Sequence, residues 1–250
     1  MFALKRMKKA ASLMLNILSH FIGFLASFPA RIFRSKISAP KYVTHSEWPN
    51  YLSEHFNRPN VRVLEVGSRV VTGANFRKHF DKAHYIGFDF YEGKNVDVVG
   101  DAHKLSTYFK SDEPFDLIFC SAVFEHLHMP WVVAEEMTKI LKIGGCVFVE
   151  THFSYSSHER PWHFFQFSEM ALRSLFSNAM GYELVDSGLS NPIWGFFTHS
   201  SVEKLRYKAV RELYCHSAIL VKKVRENRNF EWGTCNLDEI VEGTRYPLNR

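Results

Sequence analysis

The chain has 250 residues, of which 46% are hydrophobic and 23% are charged. This length and composition are typical of a globular protein with one large domain, and they exclude a disordered or fibrous chain. The net charge of +5 is unevenly distributed, because residues 1–46 carry eight Lys or Arg and no acidic residue. The rest of the chain therefore has a net charge of −3. We therefore do not expect a positively charged binding surface on the domain. Because such a surface is typical of proteins that bind nucleic acids, no nucleic-acid partner is predicted.

The four cysteines are widely spaced, and no CxxC pair indicates a zinc ribbon or a thioredoxin-like site. Cys120 and Cys146 lie in apolar runs and are predicted to be buried. Free buried cysteines are typical of a reducing compartment, so we expect a cytoplasmic domain.

The N-terminal segment has the pattern of an amphipathic helix. Apolar residues recur in steps of three and four from Leu4 to Ile32, the opposite side is polar, and Pro29 is predicted to end the helix. No charged residue lies between Ala10 and Ala30, which is just enough chain to span a bilayer. Three interpretations stay open: a helix in the membrane interface, a spanning anchor, and a soluble helix docked on the domain. We expect the N-terminal segment to bind the inner face of a membrane.

From Val61 onward, short apolar runs alternate with helical patterns, as is typical of strands buried on both faces of a parallel sheet. The predicted elements are strands at 62–67, 84–90, 96–101, 115–120 and 145–150, helices at 131–140 and 168–181, and two last strands at 182–188 and 215–223. The chain is thus predicted to be α/β, with a Rossmann-like, doubly wound, mostly parallel seven-stranded sheet and an N-terminal amphipathic helix.

The chain is predicted to divide into three parts. Residues 1–45 form the basic, apolar N-terminal segment with a linker from Ser35 to His45, residues 46–225 form the domain, and residues 226–250 form a polar tail. Residues 191–213 are predicted to be an insertion between the last two strands, with an amphipathic stretch from Val202 to Tyr214.

The first predicted strand ends in Glu65-Val-Gly67-Ser68. In doubly wound sheets, ligands lie beyond the carboxyl ends of the strands, and the first turn makes the closest approach. Gly67 lets the backbone come near a ligand, and Glu65 suits a cationic one. A dinucleotide site is disfavoured here, because its turn must hold a negative pyrophosphate.

Two further carboxylates follow later strands. Asp89 closes the second strand 22 residues after Gly67, where a carboxylate accepts hydrogen bonds from a ribose diol; a helix N-cap is the alternative role. Asp101 follows the third strand, where it can accept from an adenine amino group, and Ser121 follows the fourth.

Five stretches between residues 61 and 152 have an order and spacing that point to one family. They are Leu64–Arg69 with Gly73, Tyr85–Asp89, Val96–His103, Phe124–His126 and Leu141–Gly145. Together they resemble the class I S-adenosylmethionine-dependent methyltransferases, particularly the subgroup called methyltransferase type 11.

The resemblance implies S-adenosylmethionine as the cofactor and a set of residues that bind it. The predicted cofactor-binding residues are Glu65, Gly67, Ser68, Asp89, Phe90, Asp101, Ala102, His103 and Ser121. The first three would line the methionine end, Asp89 would take the ribose hydroxyls, and residues 101–103 would bracket the adenine.

Methyl transfer requires the acceptor to be held about 3–3.5 Å from the methyl carbon. A hydroxyl acceptor also needs a base with a pKa near the working pH, and histidine is suited to this role. We predict His126 and His163 as catalytic residues, although each can equally be a structural anchor. The histidines at 126, 128, 152, 158 and 163 can converge, but their spacing does not require an ion, so no metal is expected.

The sequence therefore predicts an enzyme that methylates a small-molecule or lipid-linked acceptor on oxygen. A catalytically silent domain that binds cofactor or partner is one alternative, because Arg69 and Val71 stand where the family usually has glycines. A nicotinamide-dependent oxidoreductase is less consistent with the sequence, because the first turn lacks GxGxxG and carries Glu65.

Overall fold

The computed structural model describes residues 12–15, 17, 18, 20–25, 37–110 and 113–235. The chain divides into two compact units. One consists of Met1–Ile37 and Ile193–Leu213, and the other of Ser38–Pro192 and Tyr214–Arg250. The predicted domain limits at residues 45 and 225 differ from this division and stay predictions.

The larger elements follow the predicted alternation of strands and helices. They are α1 Trp48–Phe56, β1 Arg62–Val66, β2 His84–Asp89, β3 Val98–Val99, α2 Leu105–Tyr108, β4 Phe115–Ser121, α3 Pro130–Ile140, β5 Leu141–His152, α4 Glu169–Leu175, β6 Tyr182–Phe196 and β7 Ala209–Lys223. Short 3-10 helices lie at Phe76–His79, Ala102–Lys104, Phe124–His126, Asn178–Met180, Glu203–Leu205 and Trp232–Thr234.

The strands form one sheet in the order β3-β2-β1-β4-β5-β7-β6. The pairs β1–β2, β1–β4, β2–β3 and β4–β5 are parallel, whereas β5–β7 is antiparallel. The predicted Rossmann-like, mostly parallel, seven-stranded sheet is therefore confirmed. Parallel register brings the carboxyl ends of β1, β2 and β4 to one edge, where ligands bind in such sheets.

Two apolar clusters lie on the two faces of the sheet. Successive side chains of β1 point to opposite faces and therefore enter the two clusters alternately. Leu64 packs in the cluster that holds the apolar stripe of α3, and Val63 packs in the cluster around Trp48. Helix α3 begins with Pro130, which suits the first helical position because its missing N–H would be unpaired there. Burial on both faces explains why the central strands are nearly all apolar.

Two elements, β3 and α4, are shorter than their predicted bounds. Strand β3 has two residues, because the Asp97 carboxylate accepts a hydrogen bond from the Gly87 N–H and so takes the place of a ladder bond. The predicted helix at 168–181 keeps its cap, with Ser168 Oγ accepting from Ala171 N at 3.1 Å, but α4 ends at Leu175. A 3-10 turn follows and closes at Gly181 in the left-handed conformation.

The predicted insertion at 191–213 is built largely from strand extensions. Strand β6 runs on to Phe196 and β7 begins at Ala209. The Phe197 N–H donates to the Lys208 carbonyl and the Tyr207 N–H to the Phe197 carbonyl, so the segment closes as a hairpin. Alternating side chains of an extended strand, and not a helix, account for the second half of the amphipathic stretch.

The predicted linker from Ser35 to His45 is wrong for its second half. The Asp186 carboxylate accepts hydrogen bonds from the backbone N–H groups of Lys41, Tyr42 and Val43. The Val43 side chain is fully buried. These residues are therefore an integral part of the unit that contains the sheet, because one acid satisfies three consecutive donors.

The described part of the N-terminal segment is helical, at residues 12–15, 17, 18 and 20–25. Its large apolar side chains are 50–73% exposed. Among the described residues, no helix combines the length and the apolar character that crossing a membrane requires. The remainder of the predicted amphipathic helix lies outside the described residues.

Candidate active site

The turn after β1 is drawn tightly against its neighbours. The N–H groups of Gly67 and Ser68 both donate to the Phe88 carbonyl, at 2.8 and 3.0 Å. Gly67 has a φ of +85°, and a Cβ at this position would lie 2.1 Å from Val123 Cγ2. Only glycine satisfies both conditions, so the conformation of the turn depends on Gly67.

Glu65 is a buried acid just below this turn, only 5% exposed. Its Oε2 lies 3.4 Å from Asn95 Nδ2, which is a weak hydrogen bond. Burial raises the pKa of the Glu65 carboxyl to about 8, against the lowering effects of Asn95 and Arg77. The Ser68 hydroxyl is also buried and finds no hydrogen-bond partner among the described residues. This corner of the edge therefore holds polar groups that a cationic, hydrogen-bonding ligand would satisfy.

The Asp89 carboxylate at the end of β2 is oriented by backbone donors. It accepts hydrogen bonds from Arg69 N at 3.1 Å and from Tyr91 N at 3.0 Å. The Arg69 side chain also reaches it, with Nε 3.4 Å from Oδ1. Phe90 is 61% exposed and meets the Tyr91 ring edge-on, with centroids 4.9 Å apart. Backbone donors thus fix the Asp89 carboxylate, and the Arg69 side chain already occupies part of its surface.

Asp101 caps the 3-10 helix Ala102–Lys104, which follows β3. Asp101 Oδ1 accepts from the backbone N–H and from Nδ1 of His103, at 3.0 and 2.7 Å. Burial acts to raise the pKa of the Asp101 carboxyl, but these two bonds outweigh it and hold the pKa below its usual value. The His103 Nε2 in turn accepts from Met129 N at 3.4 Å. Both ring nitrogens of His103 are therefore engaged, and Ala102 is buried beneath them.

Ser121, at the end of β4, belongs to a network centred on a carboxylate that the sequence reasoning did not single out. Glu150 is 2% exposed, and its Oε1 accepts from Ser121 Oγ at 3.1 Å and from Trp48 Nε1 at 3.2 Å. Its Oε2 accepts from His45 Nδ1 at 3.0 Å, and this bond raises the pKa of the His45 ring. The only signal in the sequence was an acid closing the apolar run of β5.

The loop from Thr151 to Phe167 is fastened to the segment Phe124–His126. The Glu125 carbonyl accepts from Phe164 N at 2.8 Å and from Phe165 N at 3.2 Å. His126 Nδ1 donates to the Trp162 carbonyl at 2.7 Å, which leaves the lone pair of the neutral ring on Nε2. His126 is therefore an anchor of this loop, and its Nε2 on the other side lies 3.9 Å from Glu159 Oε2.

His163 lies in the same group of rings, with its centroid 5.9 Å from that of His126 and 4.6 Å from that of His158. Its Nδ1 accepts from the His158 backbone N–H at 3.3 Å, so the neutral ring carries its proton on Nε2. That Nε2 is buried and has no hydrogen-bond partner among the residues that the structure describes. Burial and the neighbouring histidines lower the pKa of His163.

The pair that lies deepest in this group, Glu125 and His152, was not among the residues predicted to be catalytic. Glu125 is fully buried, and its Oε2 accepts from Thr151 Oγ1 at 2.6 Å. Its Oε1 lies 2.7 Å from Nδ1 of His152, the last residue of β5. Burial acts to raise the pKa of the Glu125 carboxyl, but the His152 ring and the Thr151 hydroxyl hold it below its ordinary value.

The structure thus brings the predicted residues into two neighbouring groups at the carboxyl edge. One is the cofactor group at the ends of β1 to β4, and the other is the histidine group formed by His126, His152, His158 and His163. Arg69 is the departure from the family's usual glycine-rich turn that matters, because its side chain contacts Asp89, the acid predicted to bind ribose.

The profile of a family described as a methyltransferase domain matches residues 31–189. This match covers more than half of the sequence, and the chain belongs to this family of methyltransferase domains. The resemblance to class I methyltransferases is confirmed, and S-adenosylmethionine is the cofactor. No curated protein matches the sequence significantly.

Several solved structures are similar in fold. A methyltransferase from Bacillus halodurans C-125, itself described as putative, is 16% identical over 71% of this chain and 99% of that chain, with a TM-score of 0.49. The YcgJ protein from Bacillus subtilis is 16% identical over 72% and 98%, with a TM-score of 0.48. A SAM-dependent methyltransferase from Archaeoglobus fulgidus is 17% identical over 70% and 92%, with a TM-score of 0.45. These likenesses are remote, and the family match carries the assignment.

Proposed function

We propose that this methyltransferase acts on a hydroxyl oxygen of a small-molecule or lipid-linked acceptor, beside a membrane surface. The observation that carries the proposal is the group of four histidines beside the cofactor group, at the edge where the transferable methyl group must lie. Imidazole rings are suited to handling the proton of a hydroxyl acceptor at neutral pH.

The residues at the edge fit the cofactor chemically. S-adenosylmethionine, when bound, supplies an electrophilic methyl group on a positively charged sulfur. Glu65 is a buried acid that lacks a close cation, and the Ser68 hydroxyl lacks a partner among the described residues, so both gain from a charged amino acid group. We expect Asp89 to accept hydrogen bonds from the ribose hydroxyls, and Phe90 and Asp101 to contact the adenine. These five residues are the ones we expect to hold the cofactor.

Two histidines take different parts in handling the acceptor. His126 has its lone pair on Nε2, because its Nδ1 donates to the Trp162 carbonyl. It is therefore the residue that we expect to receive the hydroxyl proton. His163 carries a proton on its unpartnered Nε2, and we expect this N–H to donate to the acceptor oxygen and orient it. This assigns a base and a positioning donor to the two histidines that the sequence predicted as catalytic.

The unit formed by Met1–Ile37 and Ile193–Leu213 has the composition of a membrane-binding surface. Residues 1–37 contain seven basic residues and no acid, and residues 193–213 contain four basic and two acidic residues. Phe196, Val202 and Tyr207 are 51%, 61% and 67% exposed, as are the apolar side chains of the N-terminal helix. Exposed apolar groups among basic residues favour an anionic lipid surface. We therefore expect the acceptor to be delivered from, or to remain in, the membrane.

The Arg69–Asp89 contact favours one alternative, a domain that binds ligand or partner without catalysis. If Arg69 keeps Asp89 engaged, the ribose hydroxyls have to compete with it. This alternative predicts weak cofactor binding and no methylated product.

The experiment follows methyl transfer from labelled S-adenosylmethionine into a lipid extract and a polar extract, with wild type, His126→Ala, His163→Ala and the exposed-histidine control His55→Ala. General-base catalysis supplies roughly 10²–10⁴-fold, so we expect His126→Ala to lower turnover by about that factor, and His163→Ala by less. Affinity for S-adenosylhomocysteine should stay as in wild type. Full turnover in His126→Ala, or a matching loss of cofactor affinity, would contradict the assigned role. Label in neither extract would favour the silent domain.

A further inference from the structure

Glu125, His152 and His158 form a compact group of metal-ligating side chains. One carboxylate oxygen and one ring nitrogen from each histidine all lie within 4.8 Å of one another. We propose that these three residues bind a single divalent transition-metal ion, for which Zn²⁺ is the probe. The spacing of these histidines in the sequence does not require a metal, because the three residues come together only when the loop after β5 folds back onto Phe124–His126.

The ligand set is one that zinc uses. Two histidines and one glutamate are a known set for zinc sites that keep a fourth position open for water or substrate. Imidazole nitrogens together with a carboxylate also favour zinc and similar ions over Mg²⁺ and Ca²⁺, which prefer oxygen alone. The chemistry of the group therefore points to a borderline transition metal.

The hydrogen bonds around the group hold the ligands in the required states. His158 Nδ1 contacts the Ser156 carbonyl at 2.9 Å and can only donate to it, so the lone pair of the neutral ring is on Nε2. Ligating histidines usually donate their other ring N–H in this way. Thr151 Oγ1 likewise holds Glu125 Oε2 at 2.6 Å and leaves Oε1 for an ion.

Two buried atoms of the group face each other without a proper bond. Glu125 is fully buried and His152 is 8% exposed. Glu125 Oε1 and His152 Nδ1 lie 2.7 Å apart, yet neither has a hydrogen-bond partner of acceptable geometry in the described part of the chain. The two atoms attract each other as an ion pair, but the poor geometry of the contact leaves the hydrogen-bonding capacity of both unfilled. An ion that drew the two atoms slightly apart would satisfy both.

The spacing of the rings agrees with a shared ion. Two imidazoles on one zinc ion, each with a Zn–N bond of about 2 Å, have ring centroids about 5 Å apart. The His152 and His158 centroids are 5.4 Å apart. The centroid of the His126 ring lies 4.9 Å from that of His158, so this ring stands beside the group.

A second set, made of His152, Cys215 and His216, is equally compact but less suited. Asn191 Nδ2 contacts His216 Nδ1 at 3.1 Å and can only donate to it. The neutral His216 ring then carries its proton on Nε2, the nitrogen that faces Cys215 Sγ at 3.7 Å. That nitrogen has no lone pair to offer an ion, so Glu125, His152 and His158 are the better set.

The ion would lie beside the histidines assigned to the acceptor, and its open position would suit the acceptor oxygen. This last role rests on the proposed methyl transfer to oxygen, whereas metal binding does not. A direct measurement of bound metal therefore separates the two proposals.

The test measures metal content and Co²⁺ binding of the purified full-length chain. The protein is stripped with chelator, reloaded with Zn²⁺, desalted, and its zinc is counted by mass spectrometry. We expect about one ion in wild type and in the exposed-histidine control His199→Ala. Zinc should be lost in His158→Ala, whose side chain is partly exposed and least needed for folding, and binding should be at least tenfold weaker in Glu125→Gln. Co²⁺ should give the visible absorption of a four-coordinate site in wild type and not in His158→Ala.

Three results would overturn the assignment. The first is a wild type that retains no zinc and gives no Co²⁺ spectrum, and the second is His158→Ala that retains zinc as wild type does. The third is loss of the ion in Cys215→Ala, which would place it in the second set. Circular dichroism of each variant identifies any loss due to unfolding, and a second substitution, His158→Gln, then replaces His158→Ala.

Discussion

The buried carboxyl of Glu65 should make the protein less stable as the pH rises, which is the reverse of the usual effect of an acidic side chain. Its pKa is raised by burial to about 8 from an ordinary value of 4.5. Between these values the folded state binds more protons than the unfolded state, so the free energy of unfolding falls as the pH rises. Each pH unit in this window corresponds to at most about 1.4 kcal/mol, so the loss between pH 5 and 8 is on the order of 4 kcal/mol.

Glu65→Gln keeps the size of the side chain and removes the charge. The variant should therefore have about the same free energy of unfolding as wild type near pH 5 and a higher one at pH 8. The assay is urea unfolding of both proteins at pH 5, 6, 7 and 8, with Glu92→Gln as a control that changes an exposed carboxyl. A difference between Glu65→Gln and wild type that stays constant with pH would refute the reasoning.

Three further predictions concern the first turn, the ribose acid and the membrane. Gly67→Ala should lower the free energy of unfolding more than Gly73→Ala. Both substitutions place an alanine on a backbone of positive φ, which costs about 1–2 kcal/mol, but only Gly67→Ala drives the new Cβ into Val123. Equal losses in urea unfolding would contradict this. Asp89→Asn should weaken binding of S-adenosylhomocysteine by about 1–3 kcal/mol in calorimetry, and unchanged affinity would remove Asp89 from the ribose role. Deleting residues 1–37 should abolish sedimentation with anionic vesicles without changing cofactor affinity, and continued sedimentation would exclude the N-terminal segment as the membrane contact.

The central strands could be predicted closely because they are buried on both faces. Strand β1 was expected at 62–67 and spans Arg62–Val66, and strand β4 was expected at 115–120 and spans Phe115–Ser121. Each is a short apolar run with no competing helical period. The outer strands gave weaker signals, because β6 contains Pro192 and exposed polar residues that resemble a loop.

The cofactor group was predictable for a similar reason. Its residues sit in local motifs at strand ends, and the topology of the sheet brings those ends together. For the histidine group, the sequence indicated only that its members can converge, and which of them meet depends on contacts made by the loop. His126 and His158 are separated by 31 residues and meet only because the Glu125 carbonyl and the His126 ring hold the loop backbone. Such contacts cannot be predicted from the spacing of residues in the sequence.

The central claim is that the carboxyl edge of β1, β2 and β4 binds S-adenosylmethionine through Glu65 and Asp89. Isothermal titration with S-adenosylmethionine, S-adenosylhomocysteine and NAD, in buffers of different ionisation enthalpy, tests it most directly. We predict one binding site for the first two ligands and none for NAD. Because the Glu65 carboxyl has a pKa of about 8, binding of the cationic cofactor at pH 7 should release close to one proton in wild type and none in Glu65→Gln. Binding of NAD, binding of neither sulfur ligand, or the same proton release in both proteins would contradict the account.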